Sequence, residues 1–361
     1  MKVVHVSQPV TAGVAAVVLD LARAQRERGW HVTVVCPPGP LAVRARAAGV
    51  RVEEWRAGRR PGPAVVAEVI RLRRVLRRLA PDVVHLHSSK AGLAGRLVLR
   101  GRRPTLFQPH LWSFQTASGF VGRASRWWER FGARWTHQLV CVSDDELAVG
   151  RVAGIGGPAE VVCNGVDTER FRPGDRLAAR WRLGLPDRPT AVCVGRLTHL
   201  KGQDLLLAAW PAVLAAVPEA RLLLVGDGPL GRRWRAEYLD ESVRWWGHDD
   251  EPSDFYAAAD VVVLPSRAEG MALVPLEAMA CGRSVVAFDV GGVRQALGSS
   301  GAVLPVGEVA GLAAAVAARL AAPASADVEG RRGRRRVELL FDLRQATDQV
   351  TTLVEKLVDR G

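Results

Sequence analysis

The stretch SRAEGMALVPLEAMACGRSVVAFDVGG, from Ser266 to Gly292, decides how the rest of the chain is read. DVVVLPS, which ends at Ser266, has the unbroken apolar run of a buried parallel strand. PLEAMACG predicts one short helix that opens at Pro275 and stops at Gly282, with proline at the first position and glycine just past the end. The loop from Glu269 to Val274 then presents backbone N–H groups at a helix N-terminus, where phosphate binds readily. Glu269 opens that loop, and Glu277 falls in the first turn of the predicted helix. Carboxylates do not bind phosphate, so each is expected to grip hydroxyl groups beside one. A nucleotide sugar has that chemistry, with a diphosphate for the amides and a sugar or ribose hydroxyl for each carboxylate.

Upstream, AVCVGRL and ARLLLVGDGP read as strands, and GQDLLLAAWPAVLAAVP reads as a helix after the loop RLTHLKG. SVRWWGH is a further strand, and SDFYAAAD is a short helix leading into VVVLPS. Arg196 and Lys201 lie in a strand-to-helix loop, the usual place for phosphate-pairing cations. As a lone pair they would be ordinary surface charges; with the amide loop after Glu269 they make a diphosphate site. RFRPGDRLAARWRLGLPDRPT, before this half, is a Pro-punctuated linker with one short helix. The tail EGRRGRRRVELLFDLRQATDQVTTLVEKLV reads as a basic run and then a helix offering Leu339, Leu343, Val350, Leu353 and Leu357 for packing. The run has a nucleic-acid flavour in composition alone. No aromatic platform accompanies it, so nucleic acid is not expected as a partner.

The first half alternates in the same way. KVVHVS, WHVTVVCP, VRVEEWRA, DVVHLH, PTLFQPH and HQLVCVS read as strands, and RRPGP as a turn. Gly13 sits in the first strand-to-helix loop, but the GxGxxG of a dinucleotide site is absent. AVVAEVIRLRRVLRRLAP is an amphipathic helix with Val66, Ile70, Val75 and Leu79 among its apolar positions and Arg71, Arg73, Arg74, Arg77 and Arg78 on the rest. His85, His87, Ser88, Ser89 and Lys90 cluster at a strand's C-terminal end, where open α/β sheets bind ligands. Two histidines without further ligands make a weak metal case, and no metal is expected. His110 ends the next strand in an equivalent place. GRASRWWERFGARW is read first as a helix packing its tryptophans into the core, with membrane contact as the second reading.

At 361 residues the chain is long enough for two domains. A hydrophobic content of 48% with 24% charged residues is that of a well-buried globular protein. No apolar run approaches the ~20 residues of a membrane span, and MKVVHVSQPV begins as a strand rather than a signal peptide. Cys36, Cys141, Cys163, Cys193 and Cys281 form no CxxC and lie in or beside apolar runs, as expected of reduced thiols in a cytoplasmic protein. The net charge of +13 is uneven. Residues 1–170 hold 26 Lys+Arg against 13 Asp+Glu of the chain's 50 and 37, which leaves 24 of each for the remainder. The basic first half therefore suits an anionic acceptor or peripheral docking on anionic lipid at the inner membrane face. Solvated Arg-rich helices are the plainer account of the same excess.

NGVD (Asn164 to Asp167), VGRLTHLKGQDLLLAAW, LLLVGDGP, WWGHDDEPSDFYAAADVVVLPSRAEGMALVPLEAMACG and DVGG together resemble the retaining family 4 glycosyltransferases of GT-B fold, the glycosyl transferases group 1. The resemblance covers most of residues 160–310 and is weaker before them, where HLHSSKAGLAGRL, His110 and CVSDDE carry it. It implies two Rossmann-like doubly wound parallel-sheet domains facing across a cleft. The first, 1–168, would bind acceptor and the second, 169–338, the nucleotide sugar, while 339–361 would form a helix returning to the first. By this resemblance Arg196 and Lys201 bind the donor diphosphate, Glu277 the ribose and Glu269 the sugar hydroxyls. The amides of Met271, Ala272, Leu273 and Val274 hold phosphate and sugar. Asn164, Gly195, Gly247, His248 and Gly13 border the nucleotide, and His110 faces the donor sugar. His87, Ser88 and Lys90 are candidates for the acceptor side. Ala12 and Gly13 stand where the family often has Gly-Gly, and Met271 and Ala272 replace its usual aromatic and small pair.

The reaction implied is transfer with retention from a nucleotide sugar, a UDP-sugar foremost, to a hydroxyl of a lipid-linked, polysaccharide or small natural-product acceptor. No Asp-x-Asp occurs in the chain, so the two cations are expected to stabilise the departing diphosphate in place of a metal, with no cofactor beyond the donor. An antibiotic-tailoring transferase acting on a cationic aminocyclitol would use Asp144, Asp145 and Glu146, the densest acidic cluster of the first half. A nucleotide-sugar epimerase is the competing enzyme class, distinguished by turnover without acceptor.

Overall fold

The computed structural model describes residues 1–58, 62–249 and 251–359. The predicted turn RRPGP falls partly on 59–61, outside those residues. The chain divides into two units, Met1–Asn164 with Arg344–Gly361, and Gly165–Leu343. The division thus falls four residues before the expected 168, and the second unit runs past 338. The reason is local: Val166 donates its N–H to Phe341 O at 2.9 Å and accepts from Leu343 N–H at 3.1 Å, which ties both ends of the second unit together.

In the first unit β1 (Lys2–Ser7), α1 (Ala12–Glu27), β2 (His31–Cys36), α2 (Pro40–Ala47) and β3 (Arg51–Glu54) form one half of the sheet. The other half holds α3 (Val65–Leu79), β4 (Val83–His87), α4 (Ser88–Leu99), β5 (Thr105–Gln108), α5 (Ser113–Thr116), α6 (Gly119–Ala133), β6 (Gln138–Cys141), α7 (Asp144–Val152) and β7 (Ala159–Val161). The seven strands run in the order β3-β2-β1-β4-β5-β6-β7, and every pairing is parallel. The order reverses beside β1, so β1 and β4 open the crevice in which such sheets bind ligands. Register sets His5 opposite His85 and Ser7 opposite His87.

The second unit holds α8 (Arg176–Arg182), β8 (Thr190–Val194), α9 (Gln203–Ala216), β9 (Arg221–Val225), α10 (Gly231–Glu237), β10 (Val243–Gly247) and α11 (Ser253–Ala258). It continues through β11 (Val261–Leu264), α12 (Leu273–Ala280), β12 (Ser284–Phe288), α13 (Val293–Leu297), β13 (Gly301–Leu304), α14 (Val309–Ala321) and α15 (Pro323–Leu340). Its six strands are ordered β10-β9-β8-β11-β12-β13, again all parallel. Leu206, Trp210 and Val213 of α9 and Leu312 and Val316 of α14 pack with Leu222, Leu224, Val263 and Phe288 of the sheet. The last helix, α16 (Leu343–Asp359), adds Val350 and Val354 to a cluster with Val3, Leu21, Val83, Leu106 and Val140 of the first unit.

The basic run is not a free tail. It lies inside α15, whose Gly330 and Gly333 press against α12; a Cβ at Gly330 would fall 2.0 Å from Gly282 O. Arg334 donates to the carbonyls of Thr168, Phe171 and Ala280, and Arg336 to those of Gln295 and Ala296. Leu339, expected to pack, is exposed.

Two helices of the first unit also differ from expectation. On α3 the buried stripe is Glu68, Leu72 and Leu76, while Val66 and Ile70 are exposed. Glu68 replaces an apolar residue in that stripe because Lys90 of α4 meets it at 2.7 Å and Gly58 N–H donates to it at 2.7 Å. On α6, Phe120 is 76% and Trp127 63% exposed. The helix turns Glu129 inward instead, 2.6 Å from the buried Arg96 of α4, whose guanidinium also stacks on Phe107. That buried pair anchors α6 together with the half-buried Trp128, over whose ring Arg96 also lies, while Trp127 faces outward.

Candidate functional site: an anion loop and a histidine crevice

In the second unit the site forms where β8 and β11 end. Gly202 follows a 3-10 turn, His199–Lys201, with φ +69, and a Cβ there would lie 1.8 Å from Pro265 O. Glycine lets the turn close onto the end of β11, and Arg267 N–H donates to Leu200 O at 2.8 Å. The Arg267 guanidinium grips both oxygens of Asp204 at 2.7–2.8 Å and reaches His199 O at 2.7 Å. Lys201 is thereby held beside the anion loop. Its Nζ donates to Glu269 Oε1 at 2.6 Å, and Ser266 Oγ donates to the same oxygen at 2.7 Å.

The DVGG motif supports the loop from behind. A Cβ at Gly291 would fall 2.2 Å from Glu269 O, and Gly292 N–H donates to Gly270 O at 2.7 Å. Gly226, at the end of β9, approaches Gly195 so closely that a Cβ would lie 2.1 Å from Gly195 O, and its N–H donates to Gly247 O at 2.6 Å. Arg196 is exposed next to this crossing, and His248 is exposed beyond β10.

The helix α12 opens at Leu273 rather than Pro275. Proline tolerates the third position because the N–H groups of a first turn have no partner within the helix. Leu273 and Val274 are therefore part of the helix N-terminus, while Met271 and Ala272 are buried ahead of it. Glu277 moves from the expected first turn to the second. Its Oε2 accepts from Tyr256 Oη at 2.5 Å. Burial, then the neighbouring Glu277, pushes the Tyr256 phenol well above its ordinary value, so it stays a donor and orients the carboxylate.

In the first unit, Ala12, Ser88 and His110 have φ of +60, +66 and +60. Each follows one of the strands β1, β4 and β5 at the crevice. A left-handed residue that is not glycine costs about 1–3 kcal/mol and persists where surrounding structure overrides it. Ala12 takes this conformation as the first residue of α1, and Gly13, expected in the loop, follows it inside the helix. Of the acceptor-side candidates, His87 and Lys90 are buried, Lys90 against Glu68, and only Ser88 is half-exposed. Asn164 is buried at the end of the unit.

His5, His85, His87 and His110 form one cluster. His5 Nε2 meets Gln25 Oε1 at 2.8 Å, His5 Nδ1 meets His87 Nε2 at 3.0 Å, and His87 Nδ1 meets His110 Nε2 at 3.1 Å. His85 packs against His87 with ring centroids 3.9 Å apart and the rings tilted by 33°. Burial lowers His5 to about 4 and His110 to about 3, and holds His85 and His87 well below their ordinary value. The pair of histidines read as isolated is thus a group of three whose ligand atoms lie within 4.8 Å, His5 being the third. A cation there would compete with the hydrogen bonds that His5 and His87 already make.

The acidic cluster of α7 divides. Ser143 caps α7, its Oγ accepting from Glu146 N–H at 3.0 Å, and Glu146 Oε2 accepts from Val142 N–H at 2.8 Å, one residue before the cap. Burial raises Glu146 to about 8. It therefore serves the helix, and Asp144 and Asp145 alone are exposed. All five cysteines are free.

Sequence reasoning passes over Ser266, Tyr256, His5 and Gln25. Ser266 and Tyr256 lie inside the quoted motifs, but only the folded chain brings them onto Glu269 and Glu277. His5 could have been found by aligning HVS of β1 with HLHS of β4, since adjacent parallel strands place such segments side by side. Gln25, one helix away, has no such signal.

Two doubly wound parallel sheets, with a lysine–glutamate pair in a glycine-supported loop ahead of a helix, define the GT-B class of glycosyltransferase. Glycosyltransferase family 4 matches residues 11–170, and glycosyl transferases group 1 matches residues 188–322. The chain belongs to this family: it is 32% identical over 328 residues to a phosphatidyl-myo-inositol mannosyltransferase of Mycobacterium leprae, covering 86% of this chain and 84% of that one. It is 41% identical over 187 residues to a D-inositol 3-phosphate glycosyltransferase of Segniliparus rotundus, covering 48% of this chain and 42% of the relative's length. This match therefore spans less than half of that relative. The fold matches a sucrose-phosphate synthase from Thermosynechococcus elongatus with TM-score 0.86 at 24% identity, over 100% of both chains.

Proposed function

We propose that this protein transfers a sugar, with retention, from a nucleotide sugar to a hydroxyl of an inositol phosphate or a phosphatidylinositol. The observation that carries the reading is the Lys201–Glu269 contact beside Arg196 and the N-terminus of α12. Bond cleavage builds negative charge on the departing diphosphate. In this reading Lys201, Arg196 and the helix N-terminus would stabilise it as it develops. Glu269, released from Lys201 as the diphosphate takes that cation, would hold sugar hydroxyls. Glu277, oriented by Tyr256, would hold the ribose. The chain contains no Asp-x-Asp, so these cations are proposed to replace a metal, with no cofactor beyond the donor. His110 is proposed to contact the donor sugar.

A UDP-sugar is proposed as the first donor to test. The acceptor rests on the names of the two relatives, one for D-inositol 3-phosphate and one for phosphatidyl-myo-inositol. A phosphatidylinositol acceptor fits the exposed apolar side chains of α6, which alternate with Arg123, Arg126 and Arg134. Peripheral contact with anionic lipid through that helix is part of the proposal. No single helix among the described residues is long and apolar enough to cross a membrane.

The test is nucleotide release from UDP-, GDP- and dTDP-sugars, each with and without inositol 3-phosphate or phosphatidylinositol vesicles. Acceptor-dependent release with a glycosylated product is expected. Turnover without acceptor would give the epimerase reading its due, and an aminocyclitol as the sole acceptor would point to Asp144 and Asp145 instead.

A further inference from the structure

Gln25, His5, His87 and His110 lie in one hydrogen-bonded line from α1, through β1 and β4, to the loop after β5. Each link joins one nitrogen of a ring to the next ring, so each needs one proton and one lone pair. The line has a fixed end. Gln25 Oε1 can only accept, so His5 carries its proton on Nε2. A neutral His5 then has a lone pair on Nδ1, which accepts from His87 Nε2–H. His87 Nδ1 accepts in turn from His110 Nε2–H. Three links and three neutral rings leave no choice after the first. His110 ends the line with its proton committed to His87 and a lone pair on Nδ1.

We infer that Gln25, His5 and His87 are positioning residues that lock His110 in its Nε2–H tautomer, so that its Nδ1 is offered as a hydrogen-bond acceptor. The locking needs rigidity at both ends, and the backbone supplies it. His110 is held at φ +60, and Gln25 and His5 are fully buried. His85, its ring centroid 3.9 Å from that of His87 and tilted by 33°, restrains the middle ring without joining the line. An acceptor at Nδ1 suits a substrate hydroxyl rather than an anion, since a neutral imidazole lone pair would repel a phosphate oxygen. The consequence for transfer rests on the proposed contact of His110 with the donor sugar; the tautomer itself does not.

The test is long-range proton–nitrogen correlation on the intact protein labelled at histidine, which tells a protonated ring nitrogen from a bare one. His110 is expected with a bare Nδ1 and a protonated Nε2, as are His5 and His87. A protonated Nδ1 at His110 would overturn the inference, because it would mean that the Gln25 amide faces the other way and the line runs in reverse. Cutting the line with His87→Phe, or removing its fixed end with Gln25→Leu, is expected to leave His110 averaging between tautomers. If either variant folds and His110 keeps a single tautomer, the lock is not there. The unmodified protein decides the matter if neither variant folds. In the transferase assay, His87→Phe is expected to lower kcat/KM about tenfold, the usual worth of one oriented hydrogen bond. Locked tautomers in a protein that transfers no sugar would sink the proposed function and leave the relay standing. Transfer with an unlocked His110 would do the reverse.

Discussion

Lys201 Nζ and Glu269 Oε1 lie 2.6 Å apart, although 68 residues separate them in sequence. Neither is fully buried, so their mutual attraction adds little to stability. Their closeness matters because a diphosphate would compete with Glu269 for the ammonium, freeing the carboxylate for hydroxyl groups. Binding the anion and arming the carboxylate would then be one event.

Lys201→Ala and Glu269→Ala are each expected to lower kcat/KM by at least about 100-fold, the scale of losing a group that stabilises developing charge. Steady-state rates with the donor identified by the screen check this. A rate near that of the unmodified protein in either variant would remove the pair from the site.

Gly202→Ala is expected to destabilise the second unit by at least about 2 kcal/mol, because an alanine at this left-handed position also collides with the carbonyl of Pro265. Thermal melting reads the loss. Nucleotide-sugar protection against melting should fall further than the melting temperature alone explains, since Lys201 precedes the displaced glycine.

Ala12 makes the opposite prediction. Ala12→Gly is expected to be neutral or to stabilise by up to about 1 kcal/mol, the left-handed cost less the entropy that glycine adds to the unfolded chain. Ala12→Val should destabilise by more than about 1 kcal/mol. If the valine variant melts like the unmodified protein, the backbone there is not strained.

Stability should depend on pH from two directions. His5 and His110 titrate near 4 and 3 when folded but near 6.5 when unfolded, so the unfolded chain binds more protons between those values. Their contribution is present above about 6.5 and is lost as pH falls toward 3. Glu146 works in reverse. Its folded value of about 8 exceeds the usual carboxylate range, so the folded chain keeps a proton that the unfolded chain has released, and stability declines as pH rises from about 4.5 to 8. Glu146→Gln should flatten the alkaline side of the curve and leave the acid side unchanged. Denaturant midpoints between pH 4 and 9 measure both limbs.

Membrane contact is tested by flotation with phosphatidylinositol-containing vesicles. Replacing Phe120 and Trp127 by serine should weaken binding at least tenfold, since two exposed apolar side chains are lost. Changing Arg71, Arg73, Arg74, Arg77 and Arg78 to glutamate should weaken binding at low salt, each basic residue contributing about 1 kcal/mol near an anionic surface. Unchanged flotation in both sets would leave the basic half without a membrane role.

Much of this was legible from residues alone. Apolar runs such as VVVL and LLLV have one stable solution, a strand covered on both faces, and their alternation with helices implies parallel sheets. Glu269 with Glu277, and separately Arg196 with Lys201, could be placed near strand ends because each pair is closely spaced in sequence. Helix faces were read less well. The stripe of α3 includes Glu68, which is buried because Lys90 from another helix neutralises it. Trp127 of α6 turns outward because Arg96 and Glu129 hold the inner face, while Trp128 stays half-buried beside Arg96. Hydrophobic periodicity cannot anticipate either, since a buried ion pair depends on a partner that sequence spacing does not place.

By itself, then, the amino-acid order determined which segments are strands, where they end, and which charged residues stand at those ends, because local apolar pattern and glycine position act over a few residues. Tertiary structure decided which of those residues meet. Only strand order put His5 beside His87 and His110. Only the close approach of glycines, at Gly202 to Pro265 and at Gly291 to Glu269, brought Lys201 onto its carboxylate. Contacts of that kind depend on distances between distant segments, which are set by how the sheets pack.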